Sequence, residues 1–306
     1  MEKIKIFSMK SPYREAFHIS GYVFGSGEKS VAIVGAMRGD EVQQQFVCSQ
    51  LVRILTDLEQ RGMLAHDHEI LVIPSANHFS MNIGKRFWPM DNTDINRMFP
   101  GYGLGETTQR IASALFDKLK DYETGVQLAS YHFAGEFVPH VRVIKTAVDI
   151  SAGAKVFGFP YVYLKTPEPF DTVMLNYNWQ IWNTAAYSIY AGTTDVIDKT
   201  SAKQTWLSII RFLSENGLVK RDVFPGYKSQ VLEDKDFTTI SAPCAGIFYK
   251  LKSSGNEVRR SETIAKILDP YNGSVLAQIS APKDGVIFFA HSKALIMEKT
   301  AAFQIV

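Results

Sequence analysis

The sequence predicts an α/β protein, a mixed β-sheet flanked by helices, followed by a small all-β domain. Three observations carry this prediction. The apolar runs Val31–Gly35 and Ile70–Pro74 have the length and continuous apolarity of strands buried on both faces. Between them, residues 41–61 place Val42, Phe46, Val47, Leu51, Ile54 and Leu58 at intervals suited to one face of a helix. Near the end of the chain, ISAPCAGI (240–247) and ISAPKDGV (279–286) are nearly the same octapeptide, 39 residues apart, as expected of one hairpin-like unit used twice.

The remaining elements follow in order. Residues 17–25 alternate and end in a Gly25–Gly27 turn, which reads as a strand, and the first helix stops near Gly62. Residues 75–105 form a long segment rich in Asn, Gly, Pro and Met, and a loop of that length inside a compact domain usually carries function. A helix is expected over Thr107–Lys120 and strands over Val126–Tyr131, Val141–Ile144 and Ala185–Ile189, with His132 at the end of the first. Residues 145–182 are aromatic and show no clear period. A helix over Thr200–Asn216 is stopped by Gly217. The character changes near residue 226, so the reading divides the chain into an α/β domain at 1–225 and a β-barrel or sandwich at 226–306.

Composition narrows the function. A formal net charge of +2, from 33 basic and 31 acidic residues, gives no reason to expect nucleic acid as a partner. Cys48 and Cys244 are the only cysteines and stand in no metal-type spacing. The N-terminus lacks an apolar stretch of signal-peptide length and no run is long enough to span a bilayer, so a cytoplasmic setting without membrane contact is the expectation.

The loop 91–101, DNTDINRMFPG, holds Asn96 and Arg97, with Arg86 upstream. Arginine forks and amide donors are the groups best suited to hold a carboxylate. A metal-dependent hydrolase would also need about three protein ligands with one coordination place left open, and a carboxylate base to take a proton from bound water.

These segments resemble the succinylglutamate desuccinylase/aspartoacylase family of carboxypeptidase A-like zinc hydrolases. GAMRGDE (35–41) is similar to the family's turn ending in His-Gly-Asp-Glu, and Ile73–Ala76, Arg86 and residues 91–101 to its substrate-binding segment. Ser130, Tyr131 and His132 stand where the family has Asp-Leu-His, and the repeated β tail matches many members. The asparagine–arginine–x–phenylalanine–proline–glycine stretch is the specific part.

The resemblance implies a zinc carboxypeptidase-like fold, with Glu41 and His132 as metal ligands and Arg86, Asn96 and Arg97 as the substrate-carboxylate clamp. It also exposes departures. Arg38 stands at the third ligand position, where a histidine belongs, and an arginine has no lone pair to offer. Ser130 replaces an aspartate. Tyr190 falls at the position of the catalytic glutamate, and a phenol is a poor base at neutral pH. Arg38 is expected to pair with Glu41 or Asp40 and fill the metal's place with its own charge.

Two functions follow. One is a protein that binds a carboxylate-bearing acylated amino acid or peptide with metal-dependent hydrolysis lost or weakened. The other is an active zinc-dependent deacylase or carboxypeptidase-like enzyme in which His78, His140 or Glu136 replaces the missing ligand. His66 and His68 read as a solvated loop, and Trp179 and Trp182 as lid or core. The β tail also resembles folds that carry lipoyl and biotin groups, yet neither half shows a lysine flanked like a carrier lysine. A homo-oligomer is an open expectation.

Overall fold

The computed structural model describes residues 1–131 and 134–306. In the first part of the chain, β1 (Glu2–Ser11), β2 (Arg14–Gly25) and β3 (Glu28–Ala36) lead into α1 (Val42–Gln60) and β4 (His68–Ser75). A short α2 (His78–Asn82) precedes α3 (Thr107–Leu119), β5 (Thr124–Leu128) and β6 (Gly135–Ile144). Then come α4 (Ser151–Val156), β7 (Tyr161–Lys165), α5 (Leu175–Ile181), β8 (Ala185–Gly192) and α6 (Lys199–Glu215). The rest is β: β9 (Gln230–Glu233), β10 (Thr238–Ser241), β11 (Gly246–Lys250), β12 (Glu257–Val258), β13 (Thr263–Leu268), β14 (Val275–Ser280), β15 (Gly285–His291), β16 (Leu295–Ile296) and β17 (Ala301–Ile305).

The predicted mixed sheet with helices on both faces is present. Its path is β1-β2-β4-β3-β5-β8-β6-β15-β17-β10, with β4, β3, β5 and β8 mutually parallel and β2 and β6 antiparallel to their neighbours on this path, while β7 pairs in parallel with β6. Alternation along β3 explains how both faces are covered. Val31 and Ile33 join Leu51 and Leu55 of α1 and Ile209 and Leu213 of α6 in one core. Ala32 and Val34 face the other core, with Ile111 and Leu115 of α3 and Trp179 of α5. Trp179 is thus a core residue, whereas Trp182 is half-exposed and packs edge-on against Phe116.

The segment 145–182, unreadable by period, holds α4, β7, a 3₁₀ turn at Pro169–Val173 and α5. These pieces are too short for periodicity to register.

The repeated octapeptides cross between two sheets in opposite senses. The first runs from β10 in the large sheet to β11 in a four-stranded antiparallel sheet, and the second from β14 in that small sheet back to β15. Both are pinned alike. Ala242 donates to the Thr300 carbonyl and accepts from the Lys299 amide, at 2.9 Å each, while Ala281 does the same with Glu262 and Ser261 at 2.9 and 2.8 Å. The tail is also stitched to the rest of the chain: β15 pairs with β6, and β9 runs parallel to β7.

Strand order fixes where a site forms. From β3 the chain crosses through α1 to β4 on one side, and the next parallel strand, β5, lies on the other side of β3. Ligand sites in such sheets sit beyond the carboxyl ends of the strands where the order reverses. Here that crevice lies between the ends of β3 and β5, the strands followed by Arg38 and Ser130.

Candidate active site

The turn after β3 is held by Gly39. Its amide donates to the Arg86 carbonyl at 2.8 Å, and an added Cβ would lie 2.1 Å from the Lys85 carbonyl oxygen. Only glycine allows this approach, which joins the turn to the long loop. Glu41 follows and is 1% exposed. Its Oε2 accepts from the backbone amides of Met37 and Arg38 at 2.8 and 3.0 Å. Its Oε1 accepts from Arg38 Nη1 at 3.0 Å and from the Ser130 hydroxyl at 2.5 Å.

Arg38 is itself buried. Its Nε and Nη2 donate to Oδ2 of Asp94 at 3.1 and 2.9 Å, and Nη1 lies 3.5 Å from Ser130 Oγ. Burial opposes its charge, but the carboxylates of Glu41 and Asp94 outweigh that and raise its pKa above the ordinary arginine value. The expected pairing with Glu41 is present. Asp40, the alternative partner, pairs instead with Arg86 at 2.5 Å, and the second partner of Arg38 is Asp94, which lies in the resembling segment 91–101 but is not assigned this role by the resemblance. Asp94 also caps the 3₁₀ turn Ile95–Arg97 by accepting from the Asn96 amide at 3.1 Å.

The other expected residues divide. Asn96 and Arg97 line one cavity of roughly 240 Å³ together with Arg38, Ser130, Gln127 and Tyr190. Asn96 Oδ1 accepts from Gln127 Nε2 at 2.9 Å, and Arg97 Nε is 3.7 Å from Asp94. Arg86 lies apart from that group: it donates to Ser130 Oγ at 3.2 Å and to the Tyr131 carbonyl at 2.8 Å, and lines a separate hollow with Asp40 and Lys293. His132, the expected second ligand, lies outside the described residues.

None of the suggested replacement ligands turns toward Glu41. His78 stacks on Phe17, with ring centroids 4.7 Å apart. His140 is fully buried, its Nδ1 2.9 Å from the Val138 carbonyl, and Glu136 is bound by Lys250 Nζ and the Ser254 amide at 2.8 and 3.0 Å. His68 Nδ1 is 2.8 Å from Ser30 Oγ, far along the sheet, and His66 is exposed. Cys48 and Cys244 are free thiols.

Tyr190 does line the cavity, held flat against the His140 ring at 5.3 Å and 7°, with the Arg142 guanidinium 4.0 Å from its ring centre. Arg142, Lys165 and Asn176 also line the cavity and were not foreseen. Arg142 left one signal, a charge inside the apolar strand Val141–Ile144. The others sit on elements without periodicity.

The overall fold is similar to that of solved succinylglutamate desuccinylases. Residues 27–140 match the model of the succinylglutamate desuccinylase/aspartoacylase catalytic domain. It is 23% identical over 282 residues to the N-alpha-acetyl-L-2,4-diaminobutyric acid deacetylase of Halomonas elongata, covering 85% of this chain and 77% of that one. In fold it resembles a succinylglutamate desuccinylase from Silicibacter sp. TM1040, with a TM-score of 0.83 and 19% identity over 99% of this chain and 92% of the other. It also resembles the product-bound ectoine utilization protein EutE (DoeB) from Ruegeria pomeroyi, with a TM-score of 0.81 and 19% identity over 95% and 89%. Among the described residues, no helix is long and apolar enough to cross a membrane.

The family generally depends on zinc, but the residues around Glu41 do not fit it. Both carboxylate oxygens of Glu41 are occupied by donors, and a metal ion bound to Oε1 would share its place with the Arg38 guanidinium. The Arg38 position adds a permanent positive charge where a lone pair is required.

Proposed function

We propose that this chain binds a small carboxylate-bearing N-acyl amino acid in the cavity beyond β3 and β5, without metal-dependent hydrolysis. The observation that carries the reading is the ion pairing of Arg38 with both Glu41 and Asp94. Those two carboxylates keep a cation between them, and that cation is a side chain.

The binding half supports the same reading. Arg97, Asn96 and Gln127 offer a guanidinium and amides on the cavity wall, the chemistry that holds a carboxylate. Trading a metal for an arginine keeps a cation beside Glu41, with one positive charge in place of a zinc ion's two, but removes the Lewis acid that polarises an amide carbonyl and the bound water that attacks it. Ser130 gives Glu41 the hydrogen bond that completes this closed network.

The test is calorimetric titration of the purified protein with a panel of N-acetyl and N-succinyl amino acids, followed by assay of the same mixtures for free amine. The expected result is saturable binding with no amine released above the buffer control. Steady release of amine abolished by a chelator would overturn the reading.

A further inference from the structure

Among the described residues, those lining the cavity run from Arg38 to Tyr190, and the β tail contributes none. The tail instead exposes an apolar face. Its small sheet has the order β14-β13-β11-β16. One side of that sheet holds Phe248, Ile267 and Ile296 in the tail's own core. The other side would ordinarily be polar, as in antiparallel sheets with one face in water. Here the register places Leu295 opposite Ile247, Ile247 opposite Leu268, and Leu268 opposite Val275. Directly opposed residues share a face, so these four make one apolar row across all four strands. Leu295, Val275 and Leu276 are 66, 49 and 48% exposed, and beside them Met297 and Tyr249 are 70 and 55% exposed.

Single exposed apolar residues are ordinary, but a contiguous set of them marks an interaction surface. Five large side chains exposed to this degree present on the order of 500 Å² of apolar surface, at the upper end for one patch on a monomer. Lys266 and Gln278, paired beside the row, begin a polar rim. With such a rim the face approaches the roughly 800 Å² per partner of a stable interface. Charge then selects the occupant. Residues 270–282, which span β14 and the turns on either side of it, carry no charge, and neither does the row. Strands with a free edge are usually guarded by charge, and β1, at the end of the large sheet, carries Lys3, Lys5 and Lys10. β14, at the end of the small sheet, has no such guard. A face built for an acidic or basic partner would carry the opposite sign. In a two-fold contact a patch meets its own copy, so like charges would oppose it and a neutral apolar row favours it.

We infer that the chain forms a two-fold dimer in which the outer face of the small sheet packs on the same face of a second copy, row against row. Sheets packed face to face lie about 10 Å apart and bury their facing side chains between them. Leu295, Ile247, Leu268 and Val275 of both copies then make one core, with Lys266 and Gln278 at its rim. None of these residues lines the cavity, so the dimer does not depend on the proposed ligand. The β tail thereby gains a role that its absence from the cavity leaves open.

The experiment is sedimentation velocity on the purified full chain at micromolar concentration. The wild type is expected to sediment as a dimer. Leu295→Lys combined with Val275→Lys places a charge at each exposed end of the row and is expected to sediment as a monomer, its association weakened on the order of a hundredfold. Leu295→Glu combined with Val275→Glu should do the same. An equal mixture of the two double variants should recover the dimer, because in a two-fold contact the ends of one row meet the ends of the other. Circular dichroism matching the wild type confirms that each variant is folded. A wild type that stays monomeric overturns the inference, and flotation of that monomer with phosphatidylcholine vesicles would assign the face to a lipid surface instead. A dimer that survives the lysine changes places the contact elsewhere and overturns it too. So does a mixture of the folded variants that remains monomeric.

Discussion

Arg38 and Asp94 form a forked contact in which Nε and Nη2 converge on a single carboxylate oxygen, Oδ2, at 3.1 and 2.9 Å. The remaining donor, Nη1, is thereby free to reach Glu41 at 3.0 Å. One guanidinium thus spans two acidic groups that come from separate segments, the turn after β3 and the long loop before α3.

Removing that cation should be costly. Arg38→Met leaves Glu41 and Asp94 facing each other across a buried site, and a loss of about 3–5 kcal/mol is expected, as when one partner of a buried ion pair is deleted. Urea unfolding at neutral pH measures it. A change below about 1 kcal/mol, the range of exposed pairs, would mean that the network is not sealed from solvent.

Restoring a ligand should restore metal but not chemistry. Arg38→His is expected to take up zinc when refolded or dialysed with it, without rapid amide hydrolysis, because Tyr190 cannot act as a carboxylate base. Adding Tyr190→Glu to that variant should raise hydrolysis of N-acetyl amino acids by about a hundredfold or more over Arg38→His alone. A double variant that holds zinc but remains inert would remove Tyr190 from the base position.

Acid should destabilise the protein through His140. Burial, and after it the charge of Arg142, hold His140 well below its ordinary value of 6.5, so the folded form stays neutral. The unfolded chain takes up a proton there with an ordinary pKa, so it binds more protons than the native state. Stability therefore falls as pH drops below about 6.5, by up to about 1.4 kcal/mol per pH unit for this one group. His140→Phe keeps the ring against Tyr190 and Phe288 and should flatten that part of the curve in denaturant titrations between pH 5 and 7. An unchanged slope would assign the acid sensitivity to other groups.

Gly39 should tolerate no side chain. With the Lys85 carbonyl oxygen 2.1 Å from the added Cβ, Gly39→Ala must push the long loop away from the turn. A loss of about 1–3 kcal/mol is expected from overpacking. Gly62→Ala is a useful comparison, since its positive φ of 67° strains the backbone but nothing lies within 4 Å. If Gly39→Ala costs no more than Gly62→Ala, the loop is not held by that contact.

Much of this was legible in the sequence, and for identifiable reasons. The parallel strands showed as apolar runs because both faces are covered, and α1 and α6 showed because each lays one stripe on the sheet. β1 was missed: its burial alternates only weakly, at the edge of the sheet. Arg38, Glu41, Asn96 and Arg97 could be found because they lie in short segments of fixed spacing. Asp94 lies in the same segment as Asn96 and Arg97, but its role could not be read, since it depends on a contact with a residue 56 positions away. The same holds for Asn176 and Lys165, brought to the cavity by short elements whose order is set by packing. Arg86 sits in the resembling segment, yet its partners are Asp40, Ser130 and the Tyr131 carbonyl, which only the folded chain brings together.

The most direct test is the metal content of the wild-type protein, purified with zinc present, desalted and analysed by elemental mass spectrometry. With Arg38 holding the place between Glu41 and Asp94, zinc should be far below stoichiometric and unaffected by Glu41→Ala. Stoichiometric zinc that survives desalting and disappears in Glu41→Ala would contradict the account at its centre.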